Sequence, residues 1–184
     1  SILIPVDLTN VATVVRNAAS MEMTGLELEL MYQVTEAWDL MVTYGYLEAE
    51  YKDYLADLNG DGVITDNSGL IPRNTPENTF GVTTSYTTQI GNGELKGRVS
   101  YRFRDEMNTD SSNNPLGDLD SIENVNATIS YSVENYSITL WGRNLTDERE
   151  QRWATIGGLT SRGWWNEPQT LVVTFAASFL EVVS

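Results

Sequence analysis

Residues 95–104 read LKGRVSYRFR, and their side chains alternate strictly between two kinds. One set is apolar or glycine: Leu95, Gly97, Val99, Tyr101 and Phe103. The other set is polar and mostly basic: Lys96, Arg98, Ser100, Arg102 and Arg104. Successive side chains of a β-strand point to opposite faces, so this stretch predicts a strand with one apolar face and one polar face.

The same period of two recurs along the chain and predicts an all-β fold. We expect about eight strands, several of them longer than the five or six residues that are usual in globular domains. They are expected at 4–16, 22–34, 37–52, 78–90, 94–107, 121–134, 136–146 and 168–179.

The connections between these strands alternate between short and long. Short turns are expected near 35–36, at Gly91-Asn92-Gly93 and at Glu134-Asn135, and long polar loops at 53–77, 108–120 and 147–167. Outer-membrane barrels join antiparallel strands by tight periplasmic turns and long external loops. A soluble β-sandwich has no reason to sort its connections by length. The sorting therefore favours an antiparallel transmembrane β-barrel.

Composition narrows the possible functions. The formal net charge is −15, with 11 basic and 26 acidic residues, which argues against a nucleic-acid partner. The absence of cysteine and histidine excludes disulfides, thiolate or imidazole metal ligands and a Ser/His/Asp triad, so we do not expect an enzyme. The opening SILIPVDLTN is not a signal peptide. We expect that one was removed or that the chain is a piece of a longer protein.

Four motifs occur in an order that resembles one family. The first is Trp141-Gly142-Arg143-Asn144-Leu145-Thr146-Asp147-Glu148, with Asn144, Leu145, Thr146 and Asp147 at its centre. The others are Asn17-Ala18-Ala19 followed by Thr24-Gly25-Leu26-Glu27-Leu28, Asn74-Thr75-Pro76 before Phe80, and Asn166-Glu167-Pro168-Gln169-Thr170 leading to Phe179. Together they resemble TonB-dependent outer-membrane receptors, over nearly the whole chain.

The resemblance implies a particular place for residues 1–184. The family's barrel has about 22 strands around a plug, so about eight strands form its C-terminal segment, and the plug lies outside this chain. A stand-alone barrel of eight strands stays open. The implied partners are the lipid of the Gram-negative outer membrane, the rest of the barrel and plug, the TonB complex through the missing N-terminal part, and a scarce solute. That solute would be a siderophore–iron complex, cobalamin or an oligosaccharide.

The stretch 57–66, DLNGDGVITD, is a candidate calcium loop. An EF-hand supplies ligands from positions 1, 3, 5, 7, 9 and 12, with glycine at position 6. Position 12 is Ser68 instead of glutamate, and Pro72 and Pro76 forbid the second helix. A Ca²⁺-binding external loop and a plain turn cluster both stay open. The candidate ligands are Asp57, Asn59, Asp61, the Val63 carbonyl, Thr65 and Asp66.

The loop 147–167 is a candidate ligand-binding site. It carries Trp153, Trp164 and Trp165 with Arg152 and Arg162. Exposed tryptophans and arginines can stack on and clamp a sugar or an anionic chelate. The alternative is that they pack the loop onto itself or anchor it at the lipid interface.

A second class of protein stays open on these residues. A soluble, secreted, calcium-binding β-sandwich, acting as an adhesion or carbohydrate-binding module, would share the alternating strands and the acidic loop. Solubility without detergent and calcium binding would favour this alternative.

Overall fold

A computed structural model describes residues 2–5, 13–16, 19–149, 151–157 and 160–178, with only the backbone described in 2–5, 13–16, 152–157 and 160–162. The described strands are β1 Ile2–Pro5, β2 Thr13–Arg16, β3 Ala19–Thr35, β4 Trp38–Ala56, β5 Thr65–Asp66, β6 Asn78–Ile90, β7 Gly93–Arg104, β8 Met107–Asn108, β9 Asp118–Leu119, β10 Ile122–Val133, β11 Tyr136–Arg143, β12 Gln151–Gly157, β13 Thr160–Trp165 and β14 Thr170–Ala177. A single 3-10 turn in this part of the chain spans Pro115–Gly117.

One antiparallel sheet dominates the fold. Its strand order is β14-β11-β10-β7-β6-β4-β3, and the short β5 pairs with β4. When the short strands inserted in the loops are left out, each long strand therefore lies beside the long strand that precedes or follows it in the sequence. The two ends of the path, β3 and β14, are not paired with each other, so the described strands form an open wall instead of a small closed barrel.

Seven of the eight expected strands are confirmed, and the first is wrong. In place of one strand over 4–16, β1 and β2 pair antiparallel with each other, with Ile2 opposite Arg16. β1 ends at Pro5, which has no N–H to donate to a ladder. The alternation of apolar residues gave no sign that the two strands are separate.

The connections alternate as expected. Turns at 36–37, 91–92 and 134–135 are short, whereas 57–77, 105–121 and 144–169 are long. The long connections are more ordered than the sequence indicated. β8 pairs with β9 in the second, and β12 pairs with β13 in the third, where only a loop was expected.

The strand register gives the main sheet two different faces, because paired residues point to the same side. The apolar face carries Leu28, Leu30, Val42, Tyr44, Phe80, Val82, Val99, Tyr101, Val125, Ile129, Leu140 and Val173. The polar face carries Glu29, Thr43, Thr83, Ser100, Arg102, Asn124, Asn126, Trp141 and Thr174.

The apolar face is uncovered. Leu28 is 56% exposed and Phe175 is 76% exposed, although both belong to this face. Within the described residues, the buried hydrophobic side chains are Tyr54, Ala56 and Leu119, near the long loops. No second sheet packs on the apolar face in the described chain, so the β-sandwich alternative is wrong. No helix in the described residues has the length and apolar character needed to cross a membrane.

Candidate functional site

A cavity of about 1050 Å³ lies on the polar face, next to the third long loop. Its walls come from β7, β10 and β11, and from the segment that leads into β14. Side chains that give it chemical character are Arg102, Arg104, Asn126, Trp141, Arg143 and Trp165. The cavity therefore combines guanidinium groups, aromatic rings and amides.

The register of three strands assembles this cavity. Arg102 and Arg104 are two positions apart on β7 and therefore share a face. Asn124 of β10 lies opposite Arg102, and Trp141 of β11 lies opposite Thr128 of β10. Arg104 is held in place, because its Nη2 donates to the Asp120 carbonyl at 3.1 Å.

Arg143 lines the cavity with an exposed side chain. Its guanidinium lies 5.0 Å from the centre of the Trp141 ring. Its Nη1 is also 3.8 Å from a carboxylate oxygen of Glu167, in an ion pair whose side chains are 61% and 78% exposed. Such an exposed and long ion pair contributes little to stability.

Asn144 holds the wall of the cavity together. It is only 4% exposed and has a left-handed backbone with φ +49°. Its Nδ2 donates to the carbonyls of Glu148 and Glu167 at 3.0 and 3.1 Å. Its Oδ1 accepts from Asn124 Nδ2 at 3.2 Å and from Glu148 N–H at 3.1 Å. One buried amide thus connects β10, the third loop and the entry to β14.

The other residues of the motif at 144–147 add further hydrogen bonds between this corner and β10. The Leu145 N–H donates to the Val125 carbonyl at 2.8 Å, and the Thr146 hydroxyl donates to the Glu123 carbonyl at 3.1 Å. Asp147 has φ +52° and donates its N–H to the Asn144 carbonyl at 3.0 Å. The structure places Asn144, Leu145, Thr146 and Asp147 in a corner after β11, where Asn144 is buried and Thr146 and Asp147 are exposed.

The structure separates the tryptophans that the sequence grouped. Trp165 lines the cavity, whereas Trp164 does not. The two are 63% and 76% exposed. On the backbone, Trp153 lies opposite Trp164 in the β12–β13 hairpin. The side chains of Arg152, Trp153 and Arg162 lie outside the described residues, and a ligand-binding role for this group stays a prediction.

The candidate calcium loop is closed by its own hydrogen bonds. Asp57 Oδ1 accepts from the Gly60 N–H and its Oδ2 from the Gly62 N–H, both at 2.7 Å. Asp61 Oδ1 accepts from the Val63 N–H at 2.7 Å. Within the described residues, no three Asp or Glu side chains group as metal ligands would. Calcium binding stays a prediction.

The other candidate calcium ligands in 57–66 also take part in hydrogen bonds within the loop. Asn59 Nδ2 donates to Asp61 Oδ2 at 2.9 Å, and the Thr65 hydroxyl donates to the Ala56 carbonyl at 3.2 Å. The Val63 N–H and the Asn59 amide lower the pKa of Asp61. The hydroxyl and N–H of Ser68 likewise lower the pKa of Asp66. Both carboxylates are thus stabilised in their charged form.

Several cavity residues were missed at the sequence level. Asn124, Asn126, Trp141 and Arg143 occupy polar positions of two alternating strands, and nothing in their spacing brings them together. The sequence offered one indication of their role, namely that they occupy the polar positions of alternating strands.

The basic residues of β7 lie far from the acidic residues of β3, although both sets belong to the polar face. The basic set is Lys96, Arg98, Arg102 and Arg104, and the acidic set includes Glu27 and Glu29. These acidic residues lie on β3, separated from β7 by β4 and β6, about 14 Å across the sheet. No ion pair joins the two groups in the described part of the chain.

These features define a class of protein. A wall of long antiparallel neighbours, with an apolar outer band, a polar inner face, and short turns opposite long loops, is part of a large β-barrel of the outer-membrane type. The family model described as TonB dependent receptor-like, beta-barrel matches residues 2–145. The chain belongs to the TonB-dependent receptor family and forms part of its β-barrel domain.

Solved structures agree on the fold. The ferric yersiniabactin uptake receptor FyuA from Yersinia pestis superposes with a TM-score of 0.76 at 16% identity, over 89% of this chain and 24% of that one. The siderophore receptor PiuA from Acinetobacter baumannii gives 0.72 at 22% identity, over 88% and 22%. The ferric preacinetobactin receptor BauA from the same species gives 0.67 at 18% identity, over 97% and 25%. The chain spans about a quarter of the length of these receptors.

Proposed function

We propose that this chain is the C-terminal part of the barrel of an outer-membrane receptor in a Gram-negative bacterium, and that the receptor imports an anionic iron chelate. The observation that carries the proposal is the cavity on the polar face, where Arg102, Arg104 and Arg143 converge beside two indole rings. The family membership supports import driven by the TonB complex through a plug outside this chain.

The chemistry of the cavity favours an anion with flat groups. Guanidinium groups bind carboxylate and phenolate oxygens through several N–H donors in one plane. Trp141 and Trp165 offer surfaces on which an aromatic or planar ligand group can stack. The chain as a whole carries a net charge of −15, so the cavity is a basic site in an acidic protein. An iron chelate with carboxylate or catecholate groups fits this combination better than a neutral oligosaccharide does.

The three solved structures with the same fold are a ferric yersiniabactin uptake receptor, a siderophore receptor and a ferric preacinetobactin receptor. At 16–22% identity they support the fold of this chain and leave its ligand to the cavity residues. Cobalamin and oligosaccharides are therefore the alternative solutes, and a binding experiment distinguishes them from an anionic chelate. Chemistry on the solute is not part of the proposal, because receptors of this family bind and transport.

The test is ligand binding to the whole receptor in detergent, followed by uptake of the iron-loaded chelate into cells. Arg102→Gln and Arg143→Gln each remove one charge that faces the cavity. Because a hydrogen bond to a charged group contributes about 1.5–3 kcal/mol, each change should weaken binding about 10-fold or more. Uptake should also be lost in cells without TonB.

Lys96→Gln is the matched control, because Lys96 lies on the same strand and the same face but outside the cavity. Binding should be unchanged in this variant. Equal losses in Lys96→Gln and Arg102→Gln would show a general charge effect and would refute the cavity as the binding site. Binding of cobalamin or an oligosaccharide, with no binding of any anionic chelate, would refute the ligand class.

A further inference from the structure

A second cavity, of about 420 Å³, lies on the opposite, apolar face of the sheet. It crosses β6, β7, β10 and β11, and its lining is almost entirely hydrocarbon. The side chains and glycine that shape it are Tyr86, Gly97, Val99, Ala127, Ile129 and Leu140.

Small residues among large neighbours create this groove. Gly97 lies between Tyr86 and Ile129 on the adjacent strands. A Cβ built on Gly97 would meet no atom within 4 Å, so the space above it is open. Ala127 lies opposite Val99, and the ring of Tyr86 and the side chain of Ile129 stand on either side of the gap.

Two leucines close the far end of the groove. Above Gly142, the position of a Cβ would be 2.6 Å from Leu145 Cδ2 and 2.9 Å from Leu171 Cδ2. The same corner that contains Asn144 therefore sends Leu145 to the apolar face. The groove is open over Gly97 and filled by protein over Gly142, so it has a defined end.

The depth of the groove places it near the short turns. Gly97 is four positions after Gly93, the first residue of β7, which is about 13 Å along the strand. Trp38 and Tyr136 lie on the apolar face beside the turns at 36–37 and 134–135. Such rings mark a membrane–water interface. In an outer-membrane barrel the short turns are periplasmic, and the periplasmic leaflet consists of phospholipid.

We propose that this groove seats one acyl chain of a phospholipid from the periplasmic leaflet. This inference rests on the proposed function, since it requires the sheet to lie in the outer membrane. The groove is continuous with the lipid-facing apolar band. Arg98 is the charged residue of its lining, and by register Arg98 belongs to the opposite, polar face. An unfilled groove would lose dispersion contacts along its walls, which a hydrocarbon chain restores. The open part of the groove, over Gly97, lies in the half of β7 next to the short turns, which is the side of the phospholipid leaflet.

The test uses the whole receptor extracted from outer membranes in mild detergent and native mass spectrometry. The unaltered receptor should retain phospholipid. Gly97→Leu and Ala127→Leu fill the groove from its two ends and should lower the lipid-bound fraction severalfold. Ala177→Leu adds the same side chain on the same face outside the groove and should leave retention unchanged. Should Gly97→Leu fail to assemble, Ala127→Leu decides.

Heat-modifiable gel migration and TonB-dependent uptake are measured on the same variants. Two results would contradict the acyl-chain site while leaving the proposed function intact. In one, the receptor assembles and imports its ligand but carries no phospholipid. In the other, it imports its ligand and both filled variants retain phospholipid. Retention of lipid A in place of phospholipid would also overturn the proposal. A receptor that fails to import any solute in its unaltered form would instead count against the proposed function.

Discussion

The side-chain amide of Asn113 pairs with the backbone of Ile71 as a neighbouring strand would. Asn113 Oδ1 accepts from the Ile71 N–H at 2.9 Å, and Asn113 Nδ2 donates to the Ile71 carbonyl at 2.8 Å. The two residues belong to different long loops, 105–121 and 57–77. A second link joins the same loops, because the Asn74 N–H donates to the Asn108 carbonyl at 2.8 Å. The two loops therefore form one unit above the sheet.

Asn113→Gly should uncouple these loops. Asn113 has φ +53°, which glycine adopts freely, so this change removes the amide without adding backbone strain. Each lost hydrogen bond contributes about 1 kcal/mol, so amide exchange at Ile71 should accelerate several-fold. Hydrogen–deuterium exchange measures this effect. Asn92→Gly, in the turn at the opposite end of the sheet, should leave Ile71 unchanged; the same acceleration in both variants would contradict the coupling.

Asn144→Gly and Asn144→Ala should both lower the temperature at which the folded barrel loses its heat-modifiable migration. Either change leaves the Glu148 and Glu167 carbonyls without their Nδ2 donor, at a cost of about 1–3 kcal/mol. Alanine should cost about 1–2 kcal/mol more than glycine, because φ is +49°. Asn135→Ala, in an exposed turn, is the control. Equal stability of Asn144→Ala and the unaltered protein would contradict the role of the buried amide.

Acid should loosen the loop 57–68 before it affects the sheet. The pKa values of Asp61 and Asp66 are lowered by hydrogen bonds to their charged forms. A lowered pKa stabilises the folded loop above the ordinary value of 3.8, and this contribution is lost as the pH falls through the lower, folded pKa. NMR amide shifts of Val63 and Ser68 should therefore titrate below about pH 4. Asp61→Asn should abolish the titration of Val63 and leave that of Ser68, and persistence of the Val63 titration would refute the assignment.

If the loop 57–66 binds Ca²⁺, as its sequence predicts, binding must compete with its internal hydrogen bonds. Both Asp57 oxygens already accept from glycine N–H groups. We therefore expect weak binding, detectable by calorimetry and removed by Asp61→Ala. Mg²⁺ should give much less heat, because it demands a tighter octahedral shell. The absence of heat with Ca²⁺ would identify the stretch as a turn cluster that needs no ion.

The strands and their two faces were predictable because alternation is local. In β7, apolar residues such as Val99 and Tyr101 alternate with Arg98 and Arg102, and this pattern alone states which residues share a face. The calcium-like stretch was also visible, but its hydrogen bonds were not. β1 and β2 were missed, since a hydrophobic period of two says nothing about where the chain reverses.

The sequence by itself determined the antiparallel strands, the sorting of short and long connections, and the family. Only the tertiary structure decided which side chains meet. Arg102 joins Asn124 and Arg143 joins Trp141 in one cavity because the strands stand in a fixed order and register. The physical reason is that strand identity depends on neighbours along the chain, whereas a site depends on residues that pairing brings within a few ångströms. Asn144 belongs to both levels. Its motif is visible in the sequence, whereas the hydrogen bonds of its buried side chain are visible only in the structure.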